Sequence, residues 1–503
     1  MEVMSMPKQT AMPKIRIESI QFTQLKSLRD VTISFEKPLT AIMGVNGCGK
    51  TTILHALACV FQPVESGGKN FGENYKFSYF FTPNSDTTWS NSKLSIIYTD
   101  NNKKGSVSPQ RKEYHKDLDR WSPKYTNRPR RPVYYIGVDS CTPEIEMMSS
   151  SVKVSYTTSE LSDGINTKVC EKAAYILNKE YRVITENDLV SKRKKLAGVK
   201  LTNGLQYSAL SMGTGEQRVI RILQTVFSAP AYSMILIDEI DLLMHVVALK
   251  KLVSVLYKIA CDHHLQIVFT THSLAMHELC DNIDIRYLDQ TPDKTMVYSA
   301  INNDFIRELA GEDRKPISVF VEDIMSKYII LEIAKELHIR DKLKVSMFGS
   351  ISNAFTLAAG IMLKDGPDQN TLIVLDGDEH RSEEEKMAQI KKHLSGTEEN
   401  IESRRQQALS MIVQYNLPNN SHPEQFIHSL LLSSNQTENE IVSIAMSIHA
   451  VNERHEWISL IIDRMNEGNE CYKDIVEIAK TGDGWEDYVR DVKQRLQECI
   501  SRL

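Results

Sequence analysis

The sequence predicts an α/β protein with two sheet-bearing domains and a helical C-terminal region, and three observations predict it. Short apolar runs ending in acidic or hydroxyl residues alternate with helix-spaced segments, as in SMILIDEI, VVALKKLVSVLYKIACDHH and QIVFTTH. The same alternation restarts at ISVFVED and runs to TLIVLDGD. Strands that read as buried on both faces, separated by helices, are the pattern of a parallel sheet. At 503 residues the chain is too long for one typical core. The expected division is residues 1–312, with an inserted segment at about 62–200, then 313–435, then a helical region over 436–503.

Each element has a local reason. IRIESIQFTQLKSLRDVTISFEKPLTAIMG alternates apolar and polar residues in short runs and feeds a glycine-rich turn at Gly44, after which TTILHALACVF has helical spacing. Residues 62 to 132 turn polar and predict strands and loops, and RPVYYIGVD returns to strand. The second half of SYTTSELSDGINTKVCEKAAYILNKEY predicts a helix, and ALSMGTGEQR is a second glycine-rich junction before the helix VIRILQTVFSA. Beyond 382 the charged segments, such as EEEKMAQIKKHL, predict helices with solvated faces.

Composition excludes several classes. The start lacks an apolar signal core and no run of about 18 apolar residues occurs, so the expected location is cytoplasmic, with no membrane partner. Eight cysteines without a C-x-x-C pair argue against a zinc site or a disulfide framework. The net charge of −5 disfavours nucleic acid as a whole, but local patches decide such binding.

GVNGCGKT, residues 44–51, matches G-x-x-x-x-G-K-[ST] between a predicted strand and a predicted helix. Glycines let the backbone wrap phosphates, Lys50 reaches the outer phosphates, and Thr51 can ligate Mg²⁺. MILIDEID then offers Asp238 for the metal side and Glu239 to orient or deprotonate a water, and Thr270, Thr271 and His272 follow another apolar strand to the same sheet edge.

LIVLDGDEH raises a separate question. Asp376 and Asp378 repel each other at a strand end unless solvent, hydrogen bonds or a cation satisfy them. Upstream, SVFVED ends another strand in Glu322. An all-oxygen set of this kind suits Mg²⁺, with Mn²⁺ as an alternative.

Together, GVNGCGKTT, LSMGTGEQR, ILIDEID and TTHS resemble the ABC-type ATPase heads of the SMC, RecF and OLD (overcoming lysogenization defect) families. The resemblance implies ATP held by Gly44, Asn46, Gly47, Gly49, Lys50, Thr51 and Thr52, with Ser211, Gly213 and Gly215 capping the nucleotide of a partner copy. It also implies Glu239 as catalytic base, His272 as switch histidine, and a homodimer or larger even-numbered assembly. Met212 and Thr214 depart from the usual L-S-G-G, so the division of labour among the glycines stays open.

The order strand–Glu322, helix, strand, helix, strand–Asp376-x-Asp378 resembles a Toprim domain, and an ABC-type head followed by Toprim is the architecture of OLD nucleases. By that resemblance Glu322, Asp376 and Asp378 hold metal, Glu424 adds an acidic ligand, and Lys480 steadies the scissile phosphate of a DNA substrate. Asp323 and Ser326 stand where OLD nucleases often carry glycine and a further acid; Asp323 or Glu379 are the candidate substitutes. The compact length looks like the retron-associated branch, which implies an antiphage role, with a reverse transcriptase and its RNA–DNA hybrid as partners. The competing class is a non-nucleolytic ATP-driven nucleic-acid clamp or repair factor whose Toprim module is degenerate. Two basic stretches are candidate nucleic-acid contacts: Arg128, Arg130 and Arg131 in a segment interleaved with aromatics, and Lys192 and Arg193 in SKRKK.

Overall fold

A computed structural model describes residues 12–502 except 102–107, 118–119, 148–153, 190–193, 300–304, 307–314, 365, 367, 397–399, 419–420, 437, 452, 454–455 and 467. The chain forms two units, Met1–Gln290 and Thr291–Leu503. The expected boundary at 312 lies outside the described residues.

In the first unit, five parallel strands run in the order Ile283–Gln290, Leu39–Gly44, Gln266–Thr270, Met234–Ile237, Val133–Ile136. LTAIMG, QIVFT and MILI are buried at every position, which is why their sequences show apolar runs instead of alternation. Register places Ile42 beside Thr270, and Ile237 beside Phe269 and Ile136. Gly44, Asp238 and Thr270 therefore reach one carboxyl edge.

A five-stranded antiparallel sheet, ordered Leu28–Ser34, Ile15–Leu25, Ser92–Asp100, Gln110–Lys116, Trp121–Ser122, accompanies it. The segment read as an insertion is woven into that sheet: Ser92–Asp100 pairs along Ile15–Leu25, with Ile20 opposite Ile96 and Phe22 opposite Leu94. A four-stranded antiparallel sheet follows, ordered Thr157–Leu161, Tyr181–Leu189, Lys194–Leu201, Gln206–Ser208. Between its first two strands lies the helix Gly164–Leu177, capped by Asp163, whose carboxylate accepts from Ile165 and Asn166 N–H, and closed by Asn178 in the left-handed region.

The second unit has four parallel strands in the order Leu343–Met347, Ile317–Val321, Thr371–Leu375, Ile412–Gln414. Its C-terminal helices do not form a separate body. Trp485, Val489, Val492 and Leu496 share one buried core with Val319, Ile330 and Val374. The helix Trp485–Ser501 carries apolar residues at positions 485, 488, 489, 492, 496 and 499, a stripe that must be covered, and the sheet's helices cover it.

Candidate functional site

The helix Lys50–Cys59 begins directly after Gly49, whose φ of 102° and the 2.7 Å approach of Leu28 Cδ2 to any added Cβ leave room for glycine alone. No side chain caps this helix and its first turn holds no acid, so its N–H groups face the loop free to meet an anion. Lys50 is buried, its Nζ donating to Gly44 O at 2.9 Å and Val45 O at 3.1 Å. Burial lowers its pKa, opposed in part by the carboxylates Glu239, Asp238 and Asp241. Asn46 and Gly47 lie exposed at the loop tip, and Thr52 is buried behind it.

Asp238 is 2% exposed and fully engaged: Oδ1 accepts from Thr51 Oγ1 at 3.1 Å and Thr270 Oγ1 at 2.7 Å, and Oδ2 from the Tyr135 hydroxyl at 3.4 Å. Thr270 Oγ1 in turn accepts Glu239 N–H at 2.6 Å. Glu239 sits half-buried at φ 50°, a conformation a glutamate rarely adopts. His272 is exposed, its N–H held by Asp241 Oδ2 at 3.2 Å.

On the signature side Ser211 and Gly213 are exposed, while Met212 is buried as an anchor. Gln217 Nε2 donates to Ala209 O and Met212 O and holds the loop's shape. Gly215 has a packing role: an added Cβ would lie 2.3 Å from Leu243 O. Three residues at this end escaped the sequence reading. Arg218, Tyr135 and His55 have no motif of their own; the one available signal was Arg218, the one cation among the mostly apolar buried residues of its helix. His55 Nε2 meets the Tyr135 hydroxyl at 3.1 Å and its ring stacks on Phe80 at 4.0 Å, and burial pulls its pKa down to about 4.

Residues 15–218 match the family model described as AAA domain. That segment lies within the first unit and supports an ATPase. No curated protein matches the sequence. Among solved structures the chain is similar to the SMC head domain from Thermotoga maritima, at 13% identity over 56% of this chain and 98% of that one, TM-score 0.33. It is also similar to an SmcHead bound to the C-winged helix domain of ScpA, at 17% identity over 56% and 97%, TM-score 0.36. A third is an Smc head domain with an extended coiled coil bound to the C-terminal domain of ScpA derived from Pyrococcus furiosus, at 13% identity over 60% and 100%, TM-score 0.36. Among the described residues no helix is long and apolar enough to cross a membrane.

The second unit gathers acids at one sheet edge. Ser318 lies beside Thr371 and Phe320 beside Ile373, so the strand ends carrying Glu322 and Asp376 are neighbours. Asp323 caps the following helix, accepting Ser326 N–H at 2.8 Å. Burial, then Asp323, Asp378 and Glu379, push the Glu322 carboxyl up to about 7. Burial, then Asp323 and Glu322, push Asp376 well above the usual carboxylate range, against a hydrogen bond from Ser326. Asp378 is exposed, and Glu424 lies half-buried in the first turn of the helix Pro423–Leu432. The donors are all oxygens, the kind Mg²⁺ prefers. Yet among the described residues no group of three or more His, Cys, Asp or Glu stands close enough to hold a metal ion. The set fits the ion in chemistry and charge, not in ligating geometry.

Two of the basic candidates, Arg128 and Arg131, are corrected. Arg128 is 3% exposed; its guanidinium donates to Cys59 O, to Tyr75 O at 2.8 Å and to Asn74 Oδ1 at 2.9 Å, and lies over the Tyr125 ring. Arg131 is 1% exposed and donates to Tyr232 O and Gln266 Oε1, both at 2.9 Å. Both are buried tethers with no free face for phosphate; Arg130 alone of the three is exposed. Lys192 and Arg193 lie outside the described residues. Lys480 is drawn into an ion pair with Glu332 at 2.6 Å, with Glu336 at 3.7 Å.

Proposed function

We propose that the chain is an ABC-type ATPase that binds and hydrolyses ATP between the heads of two copies, coupled to a Toprim-like second unit that cleaves DNA. The observation that carries the ATPase half is the edge at which Lys50, Thr51, Asp238 and Thr270 meet beside an uncapped helix, Lys50 and Thr51 lying within the residues 15–218 that match the AAA domain. Lys50 and the loop N–H groups bind the phosphates. Glu239 orients the attacking water and accepts its proton, and His272 faces the outer phosphate. A bound Mg²⁺, held on the side of Thr51 and Asp238, would supply neutralising charge. Lys50→Ala is expected to lose binding of a fluorescent ATP analogue, and Glu239→Gln to keep binding while hydrolysis falls about 100-fold or more. Wild-type turnover in both variants would refute the assignment.

The nuclease half is supported by the crowding of Glu322, Asp376 and Asp378 at one edge of a parallel sheet. Glu322, Asp376 and Asp378 are the residues that would hold Mg²⁺ or Mn²⁺, which would supply positive charge beside a scissile phosphate. Plasmid nicking with either cation, lost in EDTA and in Asp376→Ala, is the test. The second reading, an ATP-driven clamp whose Toprim-like unit serves assembly, is favoured by Ser326 occupying an Asp376 oxygen and by the absence of a ligating trio among the described residues. The antiphage setting, with a retron reverse transcriptase and its RNA–DNA hybrid as partners, follows from the family resemblance and is tested by co-purification.

A further inference from the structure

We propose that Arg218 is a positioning residue that ties the signature helix to Glu239 of its own subunit, so that the loop capping a partner's nucleotide also sets the carboxylate acting on its own; this rests on the ATPase reading above. Arg218 rises from the first turns of the helix Thr214–Ser228 and is 0% exposed. Its Nη2 donates to Asp238 O at 2.5 Å and to Glu239 O at 2.9 Å, and its Nη1 to Ser140 Oγ at 3.1 Å and to Cys141 Sγ.

Those two carbonyls bracket the peptide that places Glu239 at φ 50°. From the other side Thr270 Oγ1 accepts Glu239 N–H, and Leu242 N–H bonds Glu239 O at 3.0 Å. A glutamate in the left-handed region persists where its surroundings over-determine it, and such residues cluster at functional sites. Here the guanidinium is the part of that cage contributed by the signature helix. The same helix touches the loop a second time at Gly215, which lies against Leu243 O so closely that no Cβ fits.

Two rigid contacts within one helical turn mean that a shift of the helix end carrying Ser211 and Gly213 is passed to residues 238–243 rather than absorbed. A guanidinium can bond two successive carbonyls in fixed geometry, whereas an ammonium offers a point charge. Lysine at this position keeps the charge and loses the fork.

The test uses the full-length chain with Arg218→Lys and Arg218→Met. Uniform Arg218→Lys assemblies are expected to lose kcat about 10- to 100-fold with KM for ATP within about twofold, because only the placement of the base changes. Arg218→Met should lose more, and unchanged binding of a fluorescent ATP analogue shows that either variant is folded. Mixed assemblies add direction. With Lys50→Ala in one subunit, the surviving site joins the intact subunit's Glu239 to the variant subunit's signature loop. Arg218→Lys should then slow turnover when placed in the intact subunit and leave it unchanged in the Lys50→Ala subunit.

The reverse pattern, or a raised KM with unaltered kcat, overturns the link and makes Arg218 a support for the signature loop. If one Lys50→Ala subunit silences the pair, the kcat and KM of the uniform variants decide. A wild-type chain that hydrolyses no ATP overturns the ATPase reading and the link together; a wild-type rate untouched by Arg218→Lys overturns the link alone.

Discussion

Ser326 Oγ donates to Asp376 Oδ1 at 2.6 Å, a hydroxyl holding a carboxylate that its acidic neighbours repel. Burial first, and then Asp323 and Glu322, disfavour the charged form of Asp376 where it stands. Asp376→Asn should remove the repulsion and raise Tm by about 2–4 °C at pH 8 while abolishing nicking. Differential scanning fluorimetry and a plasmid assay read the two effects; a variant both less stable and fully active would contradict the site.

Glu322 gives a pH signature. Burial first, and then Asp323, Asp378 and Glu379, raise its folded pKa from 4.5 to about 7. Between those values the folded state holds a proton that the unfolded state has released, so this contribution to stability is fully present below about 4.5 and lost as pH rises through 7. Glu322→Gln should match wild type near pH 4.5 and exceed it above pH 7, by about 2 kcal/mol after discounting for partial exposure. Urea melts across that range check it, and a constant difference at every pH would rule it out.

His55 has the opposite sign. Burial between Phe80 and Tyr135 lowers its folded pKa from 6.5 to about 4, so the unfolded chain binds the proton first and stability falls as pH drops through that window. His55→Phe should flatten this acid limb, seen as a smaller loss of first-unit stability between pH 6.5 and 4; an unchanged limb would mean the ring titrates freely.

The strand ends bearing Asp238, Glu322 and Asp376 were legible because an apolar run followed by an acid is a local signal, and parallel register then brings such ends to one edge. What a guanidinium meets across the fold is not local. Arg128 lies in a stretch whose cations and aromatics read as a strand-binding patch, yet it reaches Cys59 O across 69 positions. The pairing of Ser92–Asp100 with Ile15–Leu25 was hidden for the same reason, as was the end of Arg218 on Asp238 and Glu239. Which core the stripe at 485–499 covers is likewise set by tertiary contacts and not by local pattern.

Burial of Arg128 makes a stability prediction where the sequence suggested a binding one. Arg128→Ala strands the carbonyls of Cys59 and Tyr75 and should cost about 3 kcal/mol, with oligonucleotide binding at low salt unaffected. Arg130→Glu, on the exposed neighbour, should leave stability within about 0.5 kcal/mol. Urea melts and a fluorescence polarisation titration separate the two; an Arg128→Ala protein that melts like wild type would show the tethers to be dispensable.

The last prediction concerns the face beside the signature loop. Leu243, Val246 and Val247 are 52%, 44% and 55% exposed, and Leu243 and Val247 line, with Gly213 and His245, a cleft of about 460 Å³. Exposed aliphatic side chains at the point where a second head would close on ATP are expected to be covered in the closed pair, contributing on the order of 1.5–3 kcal/mol each when fully buried. A carboxylate there would be desolvated without a partner. Leu243→Asp with Val247→Asp, built into Glu239→Gln so that ATP is retained, should stay monomeric by light scattering where Glu239→Gln alone dimerises on adding ATP. Nucleotide affinity of the monomer should be little changed, because Lys50 and the loop N–H groups lie within one subunit. Dimers of undiminished stability in the double variant would place the closing surface elsewhere.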